Sequence, residues 1–279
     1  MERYPQISGF EIYGRLGGGP LTEVYSAFDE EEERRCALKM VRSDWKDQPT
    51  AVKLLQREAR AGLRARHGHL IHIREAHVMS PPYYLVMDLL QGESLRRKMQ
   101  RDYSLSISDA IWVTRQTAEA LASLHRSGFI HGDVKPENIQ IDEGHATLID
   151  LGFAHRPGEN AQFLQRGYVL GTPNYLSPEL CEKSPDASFS SDIFSLGVVL
   201  FEMITGQLPY PPGTVRETFK SHRNDEPADI RQFIPSIPTA LNHLLDRLLD
   251  RYPDQRPTAD TVVQQLIALE IGQLHNRRA

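Results

Sequence analysis

Asp133, Lys135 and Asn138 fall within six positions of one another, and Gly132 and Pro136 break any helix or central strand there, so a loop must present the three side chains together. Two apolar runs follow, Ile139 to Ile141 and Ala146 to Ile149, separated by Asp142, Glu143 and Gly144 in the manner of a short hairpin. The second run returns Asp150 to the side of the loop. A carboxylate such as Asp133 can accept a hydroxyl proton, and the ammonium of Lys135 can neutralise a moving phosphoryl group. Asn138 and Asp150 offer hard oxygen ligands for Mg²⁺, so the set contains the parts that phosphoryl transfer needs. Taken singly, each of these residues is an ordinary surface polar group.

Such a loop needs a scaffold on both sides. Phe10 to Leu16 and Glu23 to Phe28 read as strands flanking Gly17-Gly18-Gly19-Pro20, with Arg35 to Val41 as a third and Asp29 to Glu33 as a solvated hairpin tip. Val52, Leu55, Ala59 and Leu63 have helical spacing, which predicts a helix over 49–65. Ile71 to Met79 and Tyr83 to Asp88 read as strands around Pro81-Pro82, and Gln91-Gly92 loosens the chain. Helices dominate afterwards: Ile107 to His125 by the spacing of its apolar residues, 190–205 as a helix apolar on nearly every face, then Leu241 to Leu249 and Val262 to Leu269. The pattern predicts an α+β fold of two lobes. A small β-rich lobe with one main helix covers 1–88, a hinge 89–92 and a larger helical lobe 93–279, with the pocket in the cleft between them.

The run His131-Gly132-Asp133-Val134-Lys135-Pro136-Glu137-Asn138, followed by Asp150-Leu151-Gly152, resembles the catalytic loop and metal-binding motif of eukaryotic-type (Hanks-type) protein kinases, most closely the bacterial serine/threonine branch. The resemblance covers almost the whole chain, and it implies transfer of the γ-phosphoryl group of ATP to Ser or Thr of a protein. Asp133 would then orient the acceptor hydroxyl, Lys135 stabilise the transferred group, and Asn138 and Asp150 hold Mg²⁺. Lys39, in Cys36-Ala37-Leu38-Lys39, resembles the lysine that holds the α and β phosphates and pairs with a helix glutamate. Glu58 is the candidate for that partner, and Glu75 has a weaker claim. Leu16, Gly17, Gly18, Gly19 and Val24 match the glycine-rich loop over the phosphates, although Thr22 stands where a third glycine is usual and Pro20 brings no N–H to the tip.

Met87-Asp88-Leu89-Leu90 resembles the gatekeeper and hinge, which implies adenine bonding at the Asp88 C=O and Leu90 N–H within apolar surroundings from Val24, Ala37 and Ile139. Gln140 occupies the place of the apolar residue beneath adenine, where an amide needs a partner. Gly62 replaces the apolar residue that would stack toward Leu151, which implies weakened packing of the Glu58 helix. Gly171 to Glu179 resembles the end of an activation segment, with Thr172 contacting Asp133 and Lys135, Glu179 pairing with Arg256, and Asp192 anchoring the catalytic loop. Gly132 replaces the arginine that usually pairs with an activation-segment phosphate, and 150–171 contains no Ser or Thr, its one hydroxyl being Tyr168. Activity without activation-loop phosphorylation is the expectation, with control by a regulatory partner or domain that positions the Glu58 helix.

Bulk properties narrow the class further. The 279 residues, 40% hydrophobic, suffice for a core, and a net charge of −5 argues against nucleic acid as the main partner. No stretch is long and apolar enough to span a bilayer, the start carries no signal region, and Cys36 and Cys181 suit a reducing compartment, so a cytoplasmic location is expected. His67, His69 and His72 lie at a helix-to-strand turn without the further ligand group of a metal site. Two rivals remain. A nucleotide-binding pseudokinase scaffold is favoured by Pro20, Thr22, Gly62 and Gln140 but opposed by the intact Lys39, Asp133, Asn138 and Asp150. A small-molecule phosphotransferase of related fold is opposed by segment 171–179, which resembles a platform for a protein substrate.

Overall fold

Strands β1 (Phe10–Gly18), β2 (Thr22–Asp29) and β3 (Arg34–Val41) follow one another as antiparallel hairpins. With β4 (Ile73–His77) and β5 (Tyr84–Met87) they form a five-stranded sheet in the order β1-β2-β3-β5-β4. The computed structural model describes residues 4–160, 170–182 and 187–276. Side chains alternate along β3: Cys36, Leu38 and Met40 enter a satellite core with Tyr25, Ala27, Tyr84 and Val86, while Ala37 and Lys39 look the other way. That second face meets helix α1 (Pro49–Gly62), whose Leu55, Ala59 and Ala61 join the main core.

Several boundaries differ from the sequence reading. Helix α1 ends at Gly62 and not at 65, because the chain tightens into a turn in which the Ala65 N–H still reaches the Ala61 carbonyl (2.9 Å). The strand expected over 71–79 shortens to β4, since the backbone of residues 69–72 bonds elsewhere. Ile71 N–H donates to the Leu148 carbonyl (2.9 Å), Leu148 N–H to the His69 carbonyl (2.8 Å), and Asp88 N–H to the His72 carbonyl (3.1 Å). Ser123 Oγ adds a bond to the Arg66 carbonyl (3.1 Å), so this loop is stitched to the helical lobe.

The helical lobe holds α2 (Leu95–Asp102), α3 (Ile107–Arg126), α4 (Phe189–Thr205), α5 (Val215–Asn224), α6 (Thr239–Leu248) and α7 (Ala259–Asn276). As the sequence predicts, α4 is buried on nearly all sides, with Ile193, Phe194, Leu196, Val198, Val199, Leu200, Phe201 and Met203 all essentially inaccessible. A second small sheet lies against this lobe, in the order β6 (Glu93–Ser94), β7 (Ile139–Asp142) and β8 (His145–Leu148). The β7–β8 hairpin closes through Glu143 (φ 46°) and Gly144 (φ 83°), the two consecutive left-handed residues that a tight two-residue turn needs. No described helix is long and apolar enough to cross a membrane.

Candidate active site

The two faces of the cleft meet at Lys39. Its position on β3, opposite Val24 of β2 and Leu85 of β5, aims the ammonium toward α1. Lys39 Nζ lies 2.8 Å from Glu58 Oε2 and 2.6 Å from Asp150 Oδ1. Burial alone would lower the Lys39 pKa, but the carboxylates of Glu58 and Asp150 override it and hold the ammonium protonated well above the ordinary lysine range. Lys39 in turn draws the Asp150 carboxyl down to about 2. Burial pushes the Glu58 carboxyl up, against the pull of Lys39. Glu75, the weaker candidate, stands instead on β4 beside His77 (3.4 Å).

Asp150 adopts a left-handed backbone (φ 61°) and its Oδ1 accepts from the Gly152 N–H (3.2 Å), which bends the chain into a short 3₁₀ turn at Leu151–Phe153. Leu151 is fully buried. The gap expected beside Gly62 does not exist. A Cβ built there would lie 2.4 Å from Ile73 Cδ1, so the β4 isoleucine already occupies the space, and the packing of α1 is tight where the sequence suggested it was weak.

On the other wall, Asp133 Oδ2 lies 2.6 Å from Lys135 Nζ and its Oδ1 accepts from Thr172 Oγ1 at 2.7 Å, while Thr172 Oγ1 accepts from Lys135 Nζ at 2.7 Å. Asn138 Nδ2 donates to the Asp133 carbonyl (2.8 Å) and to Asp133 Oδ2 (3.1 Å). With its amide nitrogen committed there, Asn138 has its amide oxygen left to accept. That oxygen and the Asp150 carboxylate are the hard oxygen atoms here that could hold Mg²⁺, a cation that takes few protein ligands.

The loop is fixed from beneath by Asp192 of α4, which accepts from the backbone N–H groups of His131 (2.8 Å) and Gly132 (2.9 Å) and contacts His125 Nε2 (2.8 Å). Burial would raise the Asp192 carboxyl, but the hydrogen bond and charge of His125 hold it below the usual range. The Asp133 N–H donates to His131 Nδ1 (3.3 Å), which leaves His131 Nε2–H to donate to the Ile149 carbonyl (3.2 Å). The Ile149 N–H then returns to the Asn138 carbonyl (2.8 Å), so the strand leading to Asp150 is tied to the loop that carries Asp133.

Ala37 pairs directly with Met87, and Val24 stands opposite Lys39, two residues along β3 from Ala37. Leu16 is exposed near the end of β1, and Gly17 and Gly18 pair with Val24 and Glu23. The turn between β1 and β2, which holds Gly19 and Pro20, closes with a Gly19 N–H bond to the Thr22 carbonyl (2.9 Å). Beyond β5, the Asp88 side chain is held by Arg74 (2.6 Å) and His72 (3.5 Å), and the half-buried Leu90 packs against the main core. Gln140 finds its partner at the link between the lobes, where Nε2 donates to the Gln91 carbonyl (2.9 Å).

Segment 171–179 is held by two networks. Arg256, its side chain fully buried, makes a two-pronged bond to Glu179 (2.8 Å on each arm), and the Glu179 carboxyl is lowered despite its burial. No spacing in the sequence points to the second network. Arg96 of α2 joins Glu137 (2.7 Å), Glu202 of α4 (2.7 Å) and the Tyr175 hydroxyl, which itself donates to Glu202 (2.6 Å). Of the three histidines at that turn, His72 faces Asp88, while the ring of His69 lies tilted against those of His67 and His145. Tyr168 lies outside the described residues.

Comparison with known proteins follows the same lines. The family described as "Protein kinase domain" matches residues 10–267. A probable serine/threonine-protein kinase, pknA2, of Bifidobacterium longum is 32% identical over 267 residues, covering 93% of this chain and 35% of the relative. Serine/threonine-protein kinase PrkC of Bacillus subtilis is 28% identical over 277 residues (98% of this chain, 42% of the relative). PknD of Mycobacterium tuberculosis is 30% identical over 253 residues (90% and 38%). The chain therefore spans well under half the length of these relatives.

Proposed function

The chain belongs to the protein kinase family, and from that premise we propose that it is a serine/threonine kinase that transfers the γ-phosphoryl group of Mg²⁺-bound ATP to a hydroxyl of a protein. The observation that carries this reading is the triangle of Asp133, Lys135 and Thr172, closed by contacts of 2.6, 2.7 and 2.7 Å. In it, Asp133 is a carboxylate oriented to hold an incoming hydroxyl and take its proton as the bond to phosphorus forms. Lys135 is a cation placed to meet the charge on the transferred group, and Thr172 keeps the two in register. Mg²⁺ held by Asn138 and Asp150 would neutralise phosphate charge when nucleotide is bound. Lys39, kept protonated by Glu58 and Asp150, suits the α and β phosphates. Gly17, Gly18 and Gly19 would cover them, and the Asp88 carbonyl and Leu90 N–H would bond adenine between Val24, Ala37, Met87 and Gln140.

We also propose that transfer needs no phosphate on the activation segment. Gly132 supplies no cation to receive one, and 150–171 contains no Ser or Thr. The test is incubation with labelled ATP, Mg²⁺ and a generic protein acceptor after broad phosphatase treatment, with phosphoamino-acid analysis and mass spectrometry of residues 150–179. Phosphoserine or phosphothreonine should form without a lag, and Asp133→Asn should abolish it while ATP affinity changes less than about twofold. Equal transfer by wild type and Asp133→Asn would reject the mechanism. A lag that ends as Tyr168 or Thr172 becomes phosphorylated would reject independence from activation.

A further inference from the structure

The turn of α1 that carries Glu58 also carries Arg57 and Arg60, and both reach across to the chain just beyond the Asp150 turn. Arg60 Nη2 lies 2.6 Å from Glu159 Oε1 and 2.7 Å from Oε2. Arg57 Nε approaches the same carboxylate at 3.7 Å, while its Nη1 donates to Asn160 Oδ1 at 2.7 Å. Asn160 is only 4% exposed, so this contact is enclosed. Glu159 Oε2 also accepts from the Arg156 N–H (3.0 Å), which curls residues 156–160 around the carboxylate. Arg60 and Arg156 both lie over the fully buried ring of Phe129, with guanidinium carbons 5.6 and 5.4 Å from its centroid. Hydrogen bonds and Arg57 and Arg60 hold the Glu159 carboxyl below its ordinary pKa although burial opposes it, so it is an anion at neutral pH.

The catalytic loop cannot hold the segment in this way. Gly132 has φ 79°, and a Cβ there would lie 3.1 Å from the Phe153 carbonyl and 3.4 Å from His155 Cε1. His155 fills that space as an imidazole whose pKa burial lowers. Position 132 therefore offers the segment no cation, and among the described residues the guanidinium groups that reach Glu159 stand on α1.

We propose that Glu159 is a positioning residue whose carboxylate, held by Arg60 and Arg57, locks α1 to the start of the activation segment and so keeps Glu58 on Lys39 without any covalent modification. This rests on the kinase reading above and deepens it. The geometry has a simple logic: Glu58 and Arg60 are on one helical turn, so a force that fixes Arg60 in place also fixes the carboxylate that holds Lys39. A genetically encoded anion then does what a phosphate does where the segment must be modified to become ordered.

The test is a double-mutant cycle of Glu159→Gln and Arg60→Gln on the phosphatase-treated chain, with kcat and the KM for ATP measured alongside hydrogen exchange in peptides covering 52–62 and 190–205. Each single change should lower kcat about tenfold with less than about a twofold change in KM, and the double variant should lose no more than either single. Exchange should accelerate in 52–62 and stay unchanged in 190–205, while Glu159→Asp, which keeps the charge, should retain most of the rate. Multiplying losses in the double variant, or wild-type kcat with unchanged exchange in Glu159→Gln, would overturn the proposal. If the wild type transfers no phosphate to any protein, the kinase reading fails, and the exchange of 52–62 still decides whether the lock exists.

Discussion

Thr172 Oγ1 spends its one proton on Asp133 and takes one from Lys135. Neither the sequence spacing nor the local pattern around 172 shows such a contact. Only the family resemblance points to it, whereas the clustering of Asp133, Lys135 and Asn138 is legible from the breaks at Gly132 and Pro136 alone. Gln140 illustrates the limit of the same reading. Its amide needed a partner, but which one depended on how close Gln91 would come, and that is fixed by the pairing of β6 with β7. Gln91 is exposed, so water can replace the lost donor if the amide is removed. Gln140→Leu should therefore leave ATP affinity within about fivefold of wild type, because the exchanged hydrogen bond is worth only about 1 kcal/mol net. Calorimetric titration with a non-hydrolysable ATP analogue checks this, and a drop of more than about tenfold would mean that the amide itself contacts the nucleotide.

Elements follow their own rules of legibility. The long periodic helices α3 and α4 were evident from apolar spacing, while α2 and α5 were not singled out. Both are short and rich in charge, with burial limited to Leu95 and Met99 in one and to Thr218, Ser221 and His222 in the other, so no apolar stripe announces them. The Arg96 hub was invisible for a related reason: its partners Tyr175 and Glu202 are 79 and 106 residues away. Gly62 shows how a local argument fails when a neighbouring element supplies the missing volume. Glycine to alanine gains about 1 kcal/mol in a helix interior and less at the last residue of α1, whereas overpacking a filled site costs about 1–3 kcal/mol. With Ile73 Cδ1 2.4 Å from the new Cβ, overpacking should win and Gly62→Ala should destabilise. Adding Ile73→Val, which removes that methyl, should recover part of the loss in urea unfolding. Greater stability in Gly62→Ala alone would mean that α1 shifts freely against β4.

At the scale of the molecule, Arg256 and Glu179 join parts of the chain 77 residues apart, and the Arg256 side chain has no solvent access. Glu179→Gln would leave a buried cation without its anion, a change that costs about 3–5 kcal/mol. The pH dependence has a definite sign. The native Glu179 pKa is lowered from 4.5, so its contribution is complete above that value and is lost as pH falls through the lowered native one. Wild type and Glu179→Gln should thus differ most in urea stability at neutral pH and converge in acid; a gap that is constant with pH would exclude the ion pair as its source. The loop at 66–72 bears on the mechanics of the whole. Its bonds to Leu148 and Ser123 fasten it to the helical lobe between α1 and β4, so the chain passes from one lobe to the other there as well as at 88–92. Two bodies joined at a single point can swing in any direction, whereas bodies pinned at two points turn about the line between the pins. Opening of the cleft is therefore expected to follow rotation about one axis, in which the C-terminal end of α1 should move least and the β1–β2 tip should sweep the widest arc.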